Sequence, residues 1–280
     1  MTTDAEEALR AADPALALER LTQAVRAAPA DARLRVFLFQ LLCVQGQWGR
    51  ALTQLDVCAE LDAAALPMRE TYREAVRCEA VRAEVFKGRK SPLLFGEPEG
   101  WIALLIESLL RGAAGNADVA TRLRDEAFAA APANAGQADG RRFEWIADAD
   151  MRLGPVLEAV INGRYYWVPF SRLASVRFEP PADLRDAVWL PATLGFVNGG
   201  EAIALVPVRY PGSELSGDGA VALARRTLWQ EQSAGVHFGI GQRVFATDAG
   251  DFALLDLRSL EFDAAGDAGA ADAAGEAPHG

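Results

Sequence analysis

The sequence predicts an α+β protein, helices first and strands after, and three observations carry that expectation. A pattern of small and apolar residues, Ala17, Leu21, Ala24 and Pro29, recurs as Ala51, Leu55, Cys58 and Ala63. From Phe143 onward the texture changes to short β-branched and aromatic runs broken by glycine and proline. After Phe262 the chain is dominated by alanine, glycine and aspartate, with no aromatic or β-branched residue to bury.

The offset between Ala17 and Ala51 is 34 residues, the period of a tetratricopeptide-like helical hairpin. Small residues at 17, 24, 51 and 58 let helices approach closely, while Leu21 and Leu55 fill the space between them. Gly46-Gln47-Trp48 supplies a turn and an aromatic residue before the second copy. A third copy would fall on Val85, Arg89, Pro92 and Glu97, which do not fit, so the array is short and needs another element over its end. Apolar residues at helical spacing predict helices near residues 14–28, 31–45, 48–62 and 68–87. Two further helices, 101–110 and 119–130, flank a glycine-rich break at 112–116 and are placed to cap the array.

Strands are expected at 143–147, 156–161, 165–170, 174–178, 188–196 and 203–208, with Asn162-Gly163 as a tight hairpin turn between the second and third. A helix at 220–230 and strands at 236–238, 243–246 and 252–257 complete a small, mainly antiparallel β domain. The boundaries read 1–90 for TPR-like hairpins, 91–138 for capping helices, 139–262 for the β-rich domain and 263–280 for a disordered acidic tail.

Composition narrows the function classes. A 280-residue chain with 51% hydrophobic residues can fill two cores. Net charge is −11 and lysine occurs only at Lys87 and Lys90, a surface that repels phosphate backbones, so nucleic acid is not an expected partner. No apolar run approaches the ~20 residues needed to cross a bilayer. The start, Met1-Thr2-Thr3-Asp4-Ala5-Glu6-Glu7, is acidic where a secretory signal would be basic, which points to the cytoplasm. Cys43, Cys58 and Cys78 form no C-x-x-C pair and read as buried free thiols.

Candidate binding residues follow from the hairpin geometry. The first helix of a hairpin normally lines the concave side, which brings up Leu34, Arg35, Leu38, Phe39, Leu42 and Gln45 as a groove for an amphipathic helix. Tyr166 falls on the opposite strand face from Tyr165 and Trp167 and is a second candidate contact. Asp148 and Asp150, two apart, share one side of a strand with Glu144, an oxygen-rich row able to hold a hard cation in a metal-dependent hydrolase. Against that reading stands Arg152 in the same row, which favours structural ion pairs joining Asp148 and Asp150 to Arg152, Arg164 and Arg185. Catalytic constellations are otherwise missing. The histidines are His237 and His279 alone, no G-x-S-x-G elbow occurs, and the run from Gly239 to Val244 lacks the third glycine of a dinucleotide fingerprint. No cofactor and no metal site are expected.

Several phrases of the second half resemble the ImpE family, whose members are also called TagJ or SciE. They are the run from Phe143 to Glu158 (Phe-Glu-Trp-Ile-Ala-Asp-Ala-Asp-Met-Arg-Leu-Gly-Pro-Val-Leu-Glu), Asn162 to Phe170, Asp183 to Trp189, Arg209 to Glu214, and Gly241-Gln242-Arg243. The resemblance spans roughly Gly96 to Phe262 and is in keeping with helical hairpins before it. It implies a non-enzymatic accessory protein of bacterial type VI secretion that binds the N-terminal helix of the small sheath subunit, TssB. A looser implication is assistance to the ATPase ClpV in engaging the contracted sheath.

Overall fold

The computed structural model describes residues 2–233 and 235–264, and its first half is built from helical hairpins. α1 (Thr2–Arg10) packs on α2 (Pro14–Ala27), and α3 (Ala32–Val44) on α4 (Trp48–Leu61). Local chemistry fixes the starts: the Asp13 carboxylate accepts from the Leu16 N–H with Pro14 opening α2, and Asp31 accepts from the Arg33 and Leu34 N–H groups. Ala17, Leu21, Ala24, Ala51, Leu55 and Cys58, the repeated signature, are all buried. α1 lies ahead of the helices that the apolar spacing predicts, and its Ala5, Ala8 and Leu9 are buried. After a 3₁₀ turn at Ala63–Ala65 comes the long α5 (Leu66–Phe86).

The chain then makes β1 (Leu93–Leu94), α6 (Gly100–Ala113) and α7 (Ala117–Ala130), followed by β2 (Gly136–Ala138), β3 (Arg141–Phe143) and β4 (Ile146–Asp148). β5 (Val156–Ile161), β6 (Arg164–Pro169), β7 (Leu173–Phe178), β8 (Trp189–Phe196) and β9 (Glu201–Pro207) form the centre of the sheet. The remaining elements are α8 (Gly219–Ala222), β10 (Thr227–Ser233), β11 (Val236–Gly241), β12 (Val244–Thr247), β13 (Phe252–Ala253) and β14 (Ser259–Phe262). One nine-stranded sheet has the order β1-β6-β5-β9-β8-β7-β14-β2-β3 and is antiparallel except for β1 beside β6. β10–β11 is a separate hairpin, and β13-β12-β4 is a three-stranded sheet. The β5–β6 loop is the expected two-residue turn, with Asn162 at φ 49° and Gly163 at φ 71°.

Strand alternation divides two cores. Val156 and Val160 of β5, with Tyr165 and Trp167 of β6, join the helical core, while Leu157, Ala159, Ile161 and Val168 join a second core on the other face. The large sheet is therefore covered on both sides, and the helical hairpins form one of the covers.

Four expectations are corrected. The strand at 143–147 is broken, because the Glu144 and Trp145 N–H groups turn out to the Asp248 carboxylate. The helix at 220–230 shrinks to α8, since residues 227–233 find a partner in β11. The strand at 252–257 is only β13, and β14 follows it. The 91–138 segment is not purely helical: β1 and β2 both belong to the large sheet. The expected tail at 263–280 lies outside the described residues apart from Asp263 and Ala264.

Candidate functional site

Of the residues expected to line a groove, Leu34, Leu38, Phe39 and Leu42 are buried, the last two at 0% exposure. Their face of α3 is filled by the protein itself. Phe39 meets Tyr72 of α5 edge-on at 5.9 Å, Tyr72 meets Trp189 of β8 at 5.9 Å, and Trp48 meets Trp189 at 5.7 Å. The 3₁₀ turn Leu184–Ala187 packs on α3 as well. This corrects the assignment of those four residues: removing each from water is worth roughly 1.5–3 kcal/mol, and the chain's own core already supplies that burial. Arg35 is half-buried and donates to the Pro29 carbonyl (3.0 Å) and to Gln54 Oε1 (2.8 Å). Gln45 donates to the Pro14 carbonyl and so ties α3 to α2. Tyr166 is half-buried edge-on to Phe95 at 5.9 Å, while Tyr165 and Trp167 are buried on the other face of β6.

Another side of α3 remains open. A cavity of about 340 Å³ lies between α3 and α4, walled by Ala32, Val36, Phe37 and Cys58, with Arg33 and Asp62 exposed among its lining residues. Beside it, at the α4–α5 connection, Leu61 and Leu66 are 42% and 41% exposed.

The acidic row resolves into a buried ionic seam. Asp148 ends β4, Glu158 sits on the helix-facing side of β5, Arg243 precedes β12, and Arg82 rises from α5; none is more than 5% exposed. Arg243 reaches Asp148 with Nη1, Glu158 with Nη2 and the Pro207 carbonyl with Nε. Arg82 grips the same Glu158 through Nε (2.6 Å) and Nη2 (3.0 Å), and Nη2 also donates to the Arg209 carbonyl (2.8 Å). Tyr165 donates to Glu158, Trp167 Nε1 to the Tyr165 hydroxyl (2.7 Å), and Tyr210 to Asp148 (3.0 Å). Burial pushes the Glu158 carboxyl up, but the two guanidiniums outweigh it and bring it down to about 2. At Asp148 burial wins over the pull of Arg243 and raises the carboxyl to about 7. Arg209, also buried, donates to the Cys43, Val44 and Ala222 carbonyls, placing positive charge at the C-terminus of α3.

These contacts revise the expected ion pairs. Asp150 pairs with Arg152, as the spacing suggested, but Asp148 pairs with Arg243. Arg164 is exposed at the hairpin turn, and Arg185 pairs with Asp183 (2.7 Å) while lying over the Tyr72 ring. Glu144 is exposed and does not share a face with the buried aspartates. Among the described residues no three His, Cys, Asp or Glu side chains converge as a metal site, and the carboxylates of the row are taken up by arginine. His237 is an exposed strand residue whose N–H meets Met151 Sδ. Arg82, Glu158, Arg209, Tyr210 and Arg243 were not singled out from the sequence. One signal was available: Glu158 is the lone charge in the apolar run from Val156 to Ile161.

The ImpE protein family matches residues 140–261. A curated Pseudomonas aeruginosa protein, the type VI secretion system accessory component TagJ, is 52% identical over 259 residues, covering 92% of this chain and 91% of that protein. The chain belongs to the ImpE/TagJ family. The crystal structure of a Vibrio parahaemolyticus protein superposes with a TM-score of 0.84 at 25% identity, over 93% of this chain and 97% of that one. In this ImpE-family chain four of the five phrases that carry the resemblance contribute to the seam, with Asp148, Glu158, Tyr165, Trp167, Arg209, Tyr210 and Arg243 inside them, while Arg82 lies outside. Among the described residues no helix is long and apolar enough to cross a membrane.

Proposed function

We propose that this protein is a non-enzymatic accessory adaptor of bacterial type VI secretion that holds the N-terminal helix of the small sheath subunit, TssB, and through it assists the ClpV ATPase in handling the sheath. The observation that supports the docking is the open α3–α4 cavity: an apolar floor of Ala32, Val36, Phe37 and Cys58, with one basic and one acidic residue, Arg33 and Asp62, exposed in its lining. An amphipathic helix lays anchors at i, i+3 or i+4, and i+7 into such a groove. The family membership and the accessory name of the Pseudomonas aeruginosa relative support the pathway. The buried seam supports the non-enzymatic reading, since its carboxylates are buried and engaged by Arg82, Arg243 and Arg152.

The test is calorimetric titration of the full chain with a synthetic peptide of the sheath subunit's N-terminal helix. Val36 is half-buried and lines the cavity, so Val36→Glu is expected to weaken binding about tenfold or more while leaving the thermal midpoint unchanged within error. Equal affinity of wild type and Val36→Glu removes this groove from the proposal; no saturable binding by the wild type removes the adaptor reading.

A further inference from the structure

The open cavity between α3 and α4 has a neighbour. A second cavity, of about 480 Å³, lies on the α1 side of α3, bounded by Glu6, Leu9 and Arg10 of α1, by residues 182–184 and by Arg225. Phe37 and Gln40 line both cavities, so the two flank one row of α3 and together form a trough that crosses this helix from α4 to α1. Gln40 is the odd residue in that trough. It is only 7% exposed, yet its carboxamide makes no hydrogen bond among the described residues, whereas Gln45, Gln47 and Gln54 are all engaged. Its polar atoms are not sealed inside the protein either, so the amide faces the trough. Both cavities far exceed the ~10–15 Å³ that one water needs, and solvent satisfies the amide while the trough is open. A helix laid across the trough expels that solvent, and the covered amide is then penalised unless the helix brings it a partner.

We infer that Gln40 sets the register of the docked helix: the partner that fits is an amphipathic helix with apolar anchors at i and i+7, one in each cavity, and an amide or hydroxyl side chain at i+3 or i+4 that hydrogen-bonds Gln40. Seven residues of helix rise by about 10 Å, close to the breadth of the one helix to be crossed. Apolar anchors recur every three or four residues, so several registers bury similar area. One polar pair breaks that degeneracy, as a buried polar residue does in a coiled coil. The charges at the two mouths point to the same occupant. Arg10 and Asp183 already pair with Glu7 and Arg185, which leaves Glu6 with Arg225 at one mouth and Asp62 with Arg33 at the other. Each mouth is balanced and complements the mixed-charge flanks of an amphipathic helix. A second copy of this chain would bring another net charge of −11, and residues 265–280 offer no leucine, isoleucine, valine, methionine or phenylalanine as an anchor.

The partner's identity rests on the adaptor reading above, and the experiment keeps the two apart. The full chain and its Gln40→Leu variant are titrated calorimetrically with the sheath-subunit peptide and with two designed helical peptides, identical except for glutamine or leucine at i+4 between leucines at i and i+7. Gln40→Leu exchanges an unpaired amide for an apolar group of similar size, so its thermal midpoint is expected to be no lower than that of the wild type. The wild type is expected to bind the glutamine peptide at least about fivefold more tightly than the leucine peptide, a preference read without any variant, and Gln40→Leu to reverse that order. The sheath peptide is expected to bind Gln40→Leu at least about fivefold more weakly than the wild type. Reversal with the designed pair but no binding of the sheath peptide supports the register rule and removes the adaptor reading. Tighter or equal binding of the leucine peptide by the wild type, the same preference on both proteins, sheath-peptide binding undiminished by Gln40→Leu, or no binding of either designed peptide overturns the inference.

Discussion

Replacing Glu158 by glutamine leaves buried Arg243 with Asp148 alone, and buried Arg82 with only the longer pair to Glu79 at 3.4 Å. Removing one partner of a buried ionic group costs roughly 3–5 kcal/mol, so we expect Glu158→Gln to lower the urea unfolding free energy by about that much. Its pH signature is specific. The carboxyl stands at about 2 in the fold against an ordinary 4.5, so its contribution is complete above 4.5 and is lost as the pH falls through 2. Asp148 works in the opposite sense: raised from 3.8 to about 7, it favours the fold most below 3.8, and that contribution is lost as the pH rises through 7. Asp148→Asn is expected to flatten the decline of stability between pH 3.8 and 7, and Glu158→Gln the loss on the acid side, both read from unfolding curves across pH. Residue identity was legible only where partners are close in sequence. The Asp150–Arg152 pair spans two positions, whereas Asp148 and Arg243 lie 95 apart, and no spacing rule reaches that far.

Two glycines with opposite surroundings test the elements. On β11, a Cβ at Gly239 would come within 2.3 Å of the Tyr210 ring, the side chain that hydrogen-bonds Asp148. Gly239→Ala is expected to cost about 1–3 kcal/mol by overpacking, visible as a lower thermal midpoint. On α4, Gly49 meets nothing within 4 Å, and Gly49→Ala is expected to stabilise by about 0.5–1 kcal/mol in the same measurement. The helices were readable because their signature residues pack against nearby turns, so Ala17, Leu21 and Ala24 announce α2 without outside help. The strand at 227–233 was not, because its residues are mostly exposed and polar and its strand character comes from pairing with β11. The docking face of α3 failed for a related reason. An apolar helix face looks the same in sequence whether a foreign helix or the chain's own Trp189 and Tyr72 will cover it.

At the scale of the molecule, the helical core takes Tyr165, Trp167, Trp189 and Leu205 from the sheet, so neither half owns its interior. A fragment of residues 1–90 would strip Trp189 from Trp48 and Tyr72 and strand Arg82 without Glu158. We expect that fragment to bind hydrophobic dyes and to unfold without a cooperative transition, in contrast to the full chain. The sheet order carries a consequence for synthesis. Among the described residues, β2 and β3 are joined to the rest of the large sheet only through β14, which lies between β7 and β2 and follows every other described strand in the chain. A nascent chain on the ribosome therefore keeps that margin unfastened until Ser259–Phe262 has left the exit tunnel. A premature stop only a few codons upstream releases a product whose sheet has lost its clasp, although nearly every other element has already been translated.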